Sequence, residues 1–329
     1  MRPILFLLLG TALAAAQPAA AAPSADALRQ SIARSVSLLE KAQAKFERQA
    51  TCASCHTQLA PIAAAMAMRE KGLAVNDAVL KRQVAMGAEV VRARHDYSLN
   101  QGVAAGGHAV TGPILVGLAE AHYPADENTD AAVAYLLAKQ SPDGGWPMVA
   151  VRSPHGETAY EVSAPAVRAI DAYAPPVLRK QADAAIAKAR AWMIATPAGS
   201  GNDAMAQRLQ GLVWAKAPAA EIARARNLLV AAQQPDGGWA QKPGMASDAY
   251  ATAGNLIALH GGGMKPSDPV YQKGLDYLLS SQAADGSWYV KAHALPIQPP
   301  IDSGFPYGPD QWISTWATAY AVEAMAYAL

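Results

Sequence analysis

Three stretches of this 329-residue chain repeat one spelling, and that repetition constrains the fold more than any other feature. Ala134-Tyr135-Leu136-Leu137 leads into Gln140 and then Asp143-Gly144-Gly145-Trp146. Asn227-Leu228-Leu229-Val230 leads into Gln233 and Asp236-Gly237-Gly238-Trp239. Asp276-Tyr277-Leu278-Leu279 leads into Gln282 and Asp285-Gly286-Ser287-Trp288. Each copy reads as the end of a helix, an Asp-Gly turn in which glycine tolerates positive φ, and a tryptophan wedge before the next helix. The wider interval between Trp146 and Trp239 calls for a degenerate copy. The apolar segment 187–195 with Trp192, followed by the Gly/Asn/Asp-rich turn 196–203, supplies one.

Each unit is therefore a helical hairpin with a period of about 45–50 residues, as in helical repeat arrays. First helices are expected over 25–48, 77–94, 128–139, 176–195, 219–233 and 268–281. Second helices are expected over 57–71, 107–122, 156–173, 203–216, 248–260 and 313–329. The second helices are alanine-rich, as in Ala63-Ala64-Ala65-Met66-Ala67-Met68, and suit a tightly packed inner ring. The first helices hold more Lys, Arg and Glu and suit an outer one. The expected fold is all-α, an (α/α)6 toroid of about twelve helices. A chain that is 52% hydrophobic fills such a core, and few aromatic residues (Phe 3) leave little to favour sheet. A net charge of +1 with no basic run excludes nucleic acid as a partner.

Arg2, an apolar run from Ile4 to Ala16 and small residues after it read as a secretory signal over 1–22. The mature toroid would span 23–329, exported or periplasmic, soluble and without a membrane span, since no later segment reaches ~20 unbroken apolar residues. Against that destination Cys52-Ala53-Ser54-Cys55-His56 matches the c-type haem attachment motif. Cys52 and Cys55 would tether the porphyrin and His56 would be the proximal iron ligand. A Cys52–Cys55 disulfide and a zinc site are the alternatives. Met66 and Met68 stand ~15–18 Å along a continuous helix from His56, too far to complete the iron's coordination. His108, heading the next inner helix, is the candidate distal ligand, and His95 and His155 also lie near turns. A rival layout makes 25–100 a small cytochrome c-like domain ahead of a shorter toroid.

Hairpin geometry also brings the heads of the inner helices to one mouth: His56, His108, Glu157 with Glu161, Asp203, Asp248 with Tyr250, and Asp310 with Gln311. Each acid doubles as an N-cap or first-turn residue. Together they would ring a cavity, and Asp248, Asp310, Asp203, Glu157 and Tyr250 are the candidate catalytic residues.

The Gln-x-x-Asp-Gly-x-Trp turns resemble the QW repeats of squalene–hopene and oxidosqualene cyclases and the toroids of protein prenyltransferase β-subunits. Ser247-Asp248-Ala249-Tyr250-Ala251-Thr252-Ala253 and the ending from Ser303 to Ser314 are similar to an exported bacterial group of cyclase-like repeat proteins that often carry CxxCH. The resemblance implies the fold from about residue 35 onward. Squalene–hopene cyclases protonate with an Asp-x-Asp-Asp acid. Asp248 begins the nearest equivalent, but Tyr250 and Ala251 replace its acids, and one barrel stands where those enzymes have two; both points count against polyene cyclisation. Zinc-holding relatives of this fold would be imitated by Cys52, Cys55, His56 and His108. The leading expectation is a haem-bearing protein engaged in electron transfer or redox chemistry at the toroid mouth, with a redox protein or small apolar ligand as partner. A zinc-dependent or terpenoid-cyclase-like enzyme without haem is the second, and a non-catalytic lipid- or peptide-binding module the third.

Overall fold

The computed structural model describes residues 22–50, 54–102, 106–149, 151–294 and 301–329. The helices are α1 (Ala25–Glu47), α2 (Ala60–Glu70, entered through a π-helical turn at Cys55–Leu59), α3 (Asp77–Ala93), the short α4 (His95–Leu99), α5 (Gly107–Glu120), α6 (Glu127–Lys139), α7 (Tyr160–Tyr173), α8 (Arg179–Ala195), α9 (Asn202–Trp214), α10 (Ala219–Ala231), α11 (Ala249–Gly261), α12 (Pro269–Ser281) and α13 (Gln311–Tyr327). Two two-residue strands, β1 (Trp239–Ala240) and β2 (Ser247–Asp248), pair antiparallel in one loop.

The inner ring runs α2, α5, α7, α9, α11, α13 and back to α2, each helix packed on the next, so the toroid closes. The outer helices α1, α3, α6, α8, α10 and α12 back it. Burial separates the two layers as the alanine content implies. Helix α13 buries 15 of its 17 residues, whereas α10 buries only Ala225 and Leu229. Close inner packing depends on small residues: a Cβ on Gly211 would lie 2.5 Å from the Met193 sulfur and 3.0 Å from the Ala164 Cβ.

The repeated turns explain their own spelling. Trp146, Trp239 and Trp288 are buried, and each indole Nε1 donates to a carbonyl of the preceding helix: Leu136 (2.7 Å), Leu229 (2.8 Å) and Leu278 (2.9 Å). Burying one such side chain is worth about 4–6 kcal/mol of transfer free energy. Each glutamine amide donates twice, to its own turn and to the next outer helix. Gln140 reaches Gly144 and Ala185, Gln233 reaches Gly237 and Val270, and Gln282 reaches Gly286 and Ser31. The last of these joins the final repeat to α1 and thus helps lock the ring. Gly286 has φ +92, and a Cβ there would sit 2.6 Å from the Arg34 carbonyl carbon, so glycine is required on both counts.

The layout with a separate small domain over 25–100 is not what the chain adopts. Helix α2 fills the gap between α13 and α5, and α1 packs on α13, so the first hairpin is part of the ring. Among the described residues no helix is long and apolar enough to cross a membrane. The expected leader, up to residue 21, lies outside them.

Candidate active site

Each inner helix is joined to the next through an outer helix running back, so all six inner helices point the same way. They enclose a cavity of about 370 Å³. Helix α9 lines it with Asp203, Gln207, Gln210 and Trp214, α13 with Trp316, Tyr320, Glu323 and Tyr327, and α7 with Glu161, Pro165 and Arg168. These are one-face helical spacings, and at 1.5 Å per residue Asp203 and Trp214 stand ~16 Å apart along the wall.

An acidic cluster sits at the end where the helices begin. Glu161, in the first turn of α7, is 2% exposed, and its Oε2 accepts from the Thr158 amide (2.6 Å) and Thr158 Oγ1 (2.8 Å). Burial, reinforced by the nearby charge of Asp203, pushes the Glu161 carboxyl up to about 7. Asp203 Oδ2 is 3.2 Å from His155 Nδ1 and accepts from the Tyr250 hydroxyl at 3.2 Å. Burial would lower the His155 pKa, but its bond to Asp203 and the charges of Asp203 and Glu161 raise it. Its ring packs 4.3 Å from that of Trp316. Tyr250 is buried beside the carboxylates and held well above the usual phenol range. Two carboxyls thus share one site, one favouring its proton and one partnered by imidazole and phenol. That is how acid and base roles separate in a single pocket.

The expected mouth ring is brought together only in part. Asp203 and Tyr250 meet in the cluster. Glu157 stays in the preceding loop, where it accepts from Ser153 Oγ and pairs with Lys242 at 2.8 Å. Asp248 caps α11, accepting from the Ala251 amide at 2.9 Å; burial pushes its carboxyl up to about 6, but it does not line the cavity. Asp310 accepts from the Tyr289 hydroxyl (3.0 Å) and the Ala292 amide (2.9 Å), and Gln311 from the Ser303 amide at 2.8 Å, so both tie down the long loop before α13. His108 is buried with Nε2 2.8 Å from the Pro147 carbonyl and is not among the residues that line the cavity. Glu323 escaped the catalytic candidates. It is the sole charged residue of α13, and an acid alone in so apolar a helix was the available signal.

Of the CxxCH motif, Cys52 lies outside the described residues, and Cys55 lines the cavity wall. His56 has Nδ1 2.8 Å from Thr57 Oγ1 and is surrounded by the rings of Trp312, Phe46 and Trp316, with centroids at 5.9, 6.4 and 6.4 Å. The Arg152 guanidinium covers Trp312 at 4.0 Å. Burial, then the charges of Arg152 and His155, push the imidazole down to about 3. A porphyrin needs a flat open face beside its axial imidazole. Here three aromatic rings pack around the imidazole, so among the described residues the surroundings favour a packing role for His56. Among the described residues no three His, Cys, Asp or Glu side chains are grouped to hold a metal ion.

No protein-family model matches the chain. A curated relative, drimenyl diphosphate synthase from Streptantibioticus cattleyicolor, is 32% identical over 176 residues. That match takes in 48% of this chain and 31% of the relative, so the chain aligns with about a third of that protein's length. The apo structure of the type II terpene cyclase MstE from Scytonema aligns with TM-score 0.59 and 17% identity, covering 92% of this chain and 98% of that one. MstE in complex with merosterolic acid A, its product, aligns with TM-score 0.58 and 18% identity over 92% and 97%. A glycosidase in complex with glucose aligns with TM-score 0.60 and 13% identity over 91% and 98%. At these identities the structural likeness establishes the architecture: the chain has an all-α toroid like that of the type II terpene cyclases.

Proposed function

We propose that this chain is a cyclase-like enzyme that protonates an unsaturated isoprenoid held in the central cavity, with Glu161 as the acid. The observation carrying this reading is a buried carboxyl that favours its proton, set beside Asp203 where the inner helices begin, in a pocket whose wall includes Trp316, Tyr320 and aliphatic groups. The Glu161 O–H bond breaks as a C–H bond forms at the substrate double bond. Neighbouring double bonds close rings onto the resulting cation. Loss of a proton from the last cation leaves a product isomeric with the substrate, and the Glu161 carboxylate regains a proton from water that re-enters the cavity once the product has left. Asp203, partnered by His155 and Tyr250, supplies fixed negative charge beside the first cation, and the faces of Trp316 and Tyr320 stabilise it further.

Glycosidases share the fold and also employ paired carboxyls. Between the acid cluster and the far end, however, much of this wall is apolar, with Ala63, Pro113, Val116, Pro165 and Ile257 beside the two amides of Gln207 and Gln210. The test is incubation of the full chain with linear isoprenoids in D2O, followed by gas chromatography and mass spectrometry. Cyclic isomers carrying one deuterium are expected, at a rate lowered at least 10³-fold in Glu161→Gln. Turnover undiminished in that variant, or no isomerisation of any isoprenoid, overturns the reading.

A further inference from the structure

The size of the cavity bears on which isoprenoid it takes. Its lining runs from Asp203 to Trp214 on α9 and from Trp316 to Tyr327 on α13. Each span is about 16 Å at 1.5 Å per residue, so two walls give the same depth. The acid cluster stands at one end. Towards the other, Arg168 Nη2 donates to Glu120 at 3.0 Å. Solvent meets the cavity on that second side: Glu120 and Arg168 are 38% and 31% exposed, against 2% for Glu161 and 6% for Trp316.

The girth is set by how closely the inner helices approach one another. A Cβ on Gly112 of α5 would lie 3.2 Å from the Ala166 amide of α7, and one on Gly117 would lie 3.1 Å from a Leu59 methyl at the head of α2. Walls packed to that distance leave the ring little room to widen.

Volume and depth can each be read as a number of carbons. An apolar cavity of about 150 Å³ accommodates benzene, so each carbon takes about 25 Å³. On that scale the 370 Å³ present holds about fifteen carbons. An extended chain advances about 1.2 Å per backbone bond, so three isoprene units in line span about 13 Å and six about 28 Å. A thirty-carbon chain shortens by folding, but folding leaves its volume at about 750 Å³, twice what is available. Twenty carbons overfill the space by about a third, and ten leave about 120 Å³ empty.

We infer that the cavity takes an isoprenoid of fifteen carbons, three isoprene units, and leaves part of any longer chain in solvent. This rests on the isoprenoid reading above and deepens it by naming the substrate's length. Each carbon buried adds to affinity until the cavity is full, and carbons beyond that add little.

Trp214 and Trp316 line the cavity, so intrinsic tryptophan fluorescence of the full chain reports occupancy. The alcohols geraniol, farnesol and geranylgeraniol share a head group and differ by one isoprene unit each. Affinity is expected to rise at least tenfold from geraniol to farnesol and to change less than threefold from farnesol to geranylgeraniol. Ala63→Phe places a phenyl group on the cavity wall, takes back about 150 Å³ and moves the fit to nine or ten carbons. Farnesol affinity is then expected to fall at least tenfold, with geraniol affinity within threefold of wild type and circular dichroism unchanged. Geraniol binding as tightly as farnesol, a further tenfold gain at geranylgeraniol, or equal losses for both shorter alcohols in a folded Ala63→Phe protein overturns the inference. The wild-type series decides the matter by itself if the variant does not fold. Farnesol that binds with this length dependence but is recovered unchanged would count against the protonation chemistry and leave the length preference standing. Cyclised geranylgeraniol with farnesol left unreacted would do the reverse.

Discussion

The acid assignment can be tested without any substrate, because a carboxyl that keeps its proton when buried makes folding depend on pH. Glu161 has an ordinary value of 4.5 when the chain is unfolded and is pushed up to about 7 when folded. Below 4.5 both states hold the proton and the group is neutral to stability. Between 4.5 and 7 the unfolded chain releases the proton while the folded chain keeps it, so stability falls as pH rises; above 7 the full penalty is in place. At 1.36 kcal/mol per tenfold, that penalty is about 3 kcal/mol. Glu161→Gln preserves an oxygen that can accept from Thr158 and removes the ionisation. Glu323 and Asp248, also pushed up, remain in both proteins and cancel in the difference. Urea denaturation at pH 4.5, 6, 7 and 8 is therefore expected to show the variant gaining about 3 kcal/mol on the wild type across that interval, a midpoint displaced by about 1 M. Parallel stability curves would refute the raised Glu161 value, and with it the reason for choosing this residue as the acid.

Three further outcomes follow from the geometry. Gly286→Ala should cost about 3 kcal/mol in chemical denaturation, from positive-φ strain plus a clash with the Arg34 carbonyl. Gly263→Ala, at φ +84 with open space around it, should cost about 1; equal costs would refute the seam argument. His56→Phe should lie within about 1 kcal/mol of wild type, since the ring is read as packing among Phe46, Trp312 and Trp316. Covalent haem in protein matured alongside a haem-attachment system would refute that role. Trp316→Leu should lower the cyclisation rate about tenfold with binding little changed, if its face stabilises a cation; an equal loss in both would make it a binding residue instead.

The repeats made the fold legible because each copy encodes a complete local instruction: a helix end, a turn only glycine can make, and a tryptophan whose indole reaches back to its own helix. The helix limits expected from these turns hold to within a few residues, apart from α4. The exception that mattered is α7, expected from 156 and beginning at Tyr160. That offset leaves Glu157 in the loop, where Lys242 holds it, and puts Glu161 on the cavity face. The weight given to Glu157 over Glu161 followed from a helix start that turn chemistry fixes poorly. Asp203 and Tyr250 were legible as residues heading inner helices. The surroundings of His56 were not, because Phe46, Trp312 and Trp316 come from opposite ends of the chain and meet only when the ring closes. Five adjacent residues can spell an attachment motif, but they do not determine whether a face beside the imidazole stays open.

Closure also gives the cavity a direction. All six inner helices begin at the acid end and finish at the open end, so their dipoles lay partial positive charge around Glu161 and Asp203 and partial negative charge around Glu120 and Glu323. A carbocation created beside Glu161 is held at first by Asp203 and the ring faces. One feature of the fold, parallel inner helices forced by repeated hairpins, therefore bears on where the proposed proton enters. Helix α13 supplies Trp316, Tyr320 and Glu323 to the cavity wall. It takes its place only because α1 and α2 pack against it and Gln282 bonds to Ser31 on α1. A chain lacking the first hairpin would lose the polarised cavity along with the seam, even with both acid-cluster carboxyls still present.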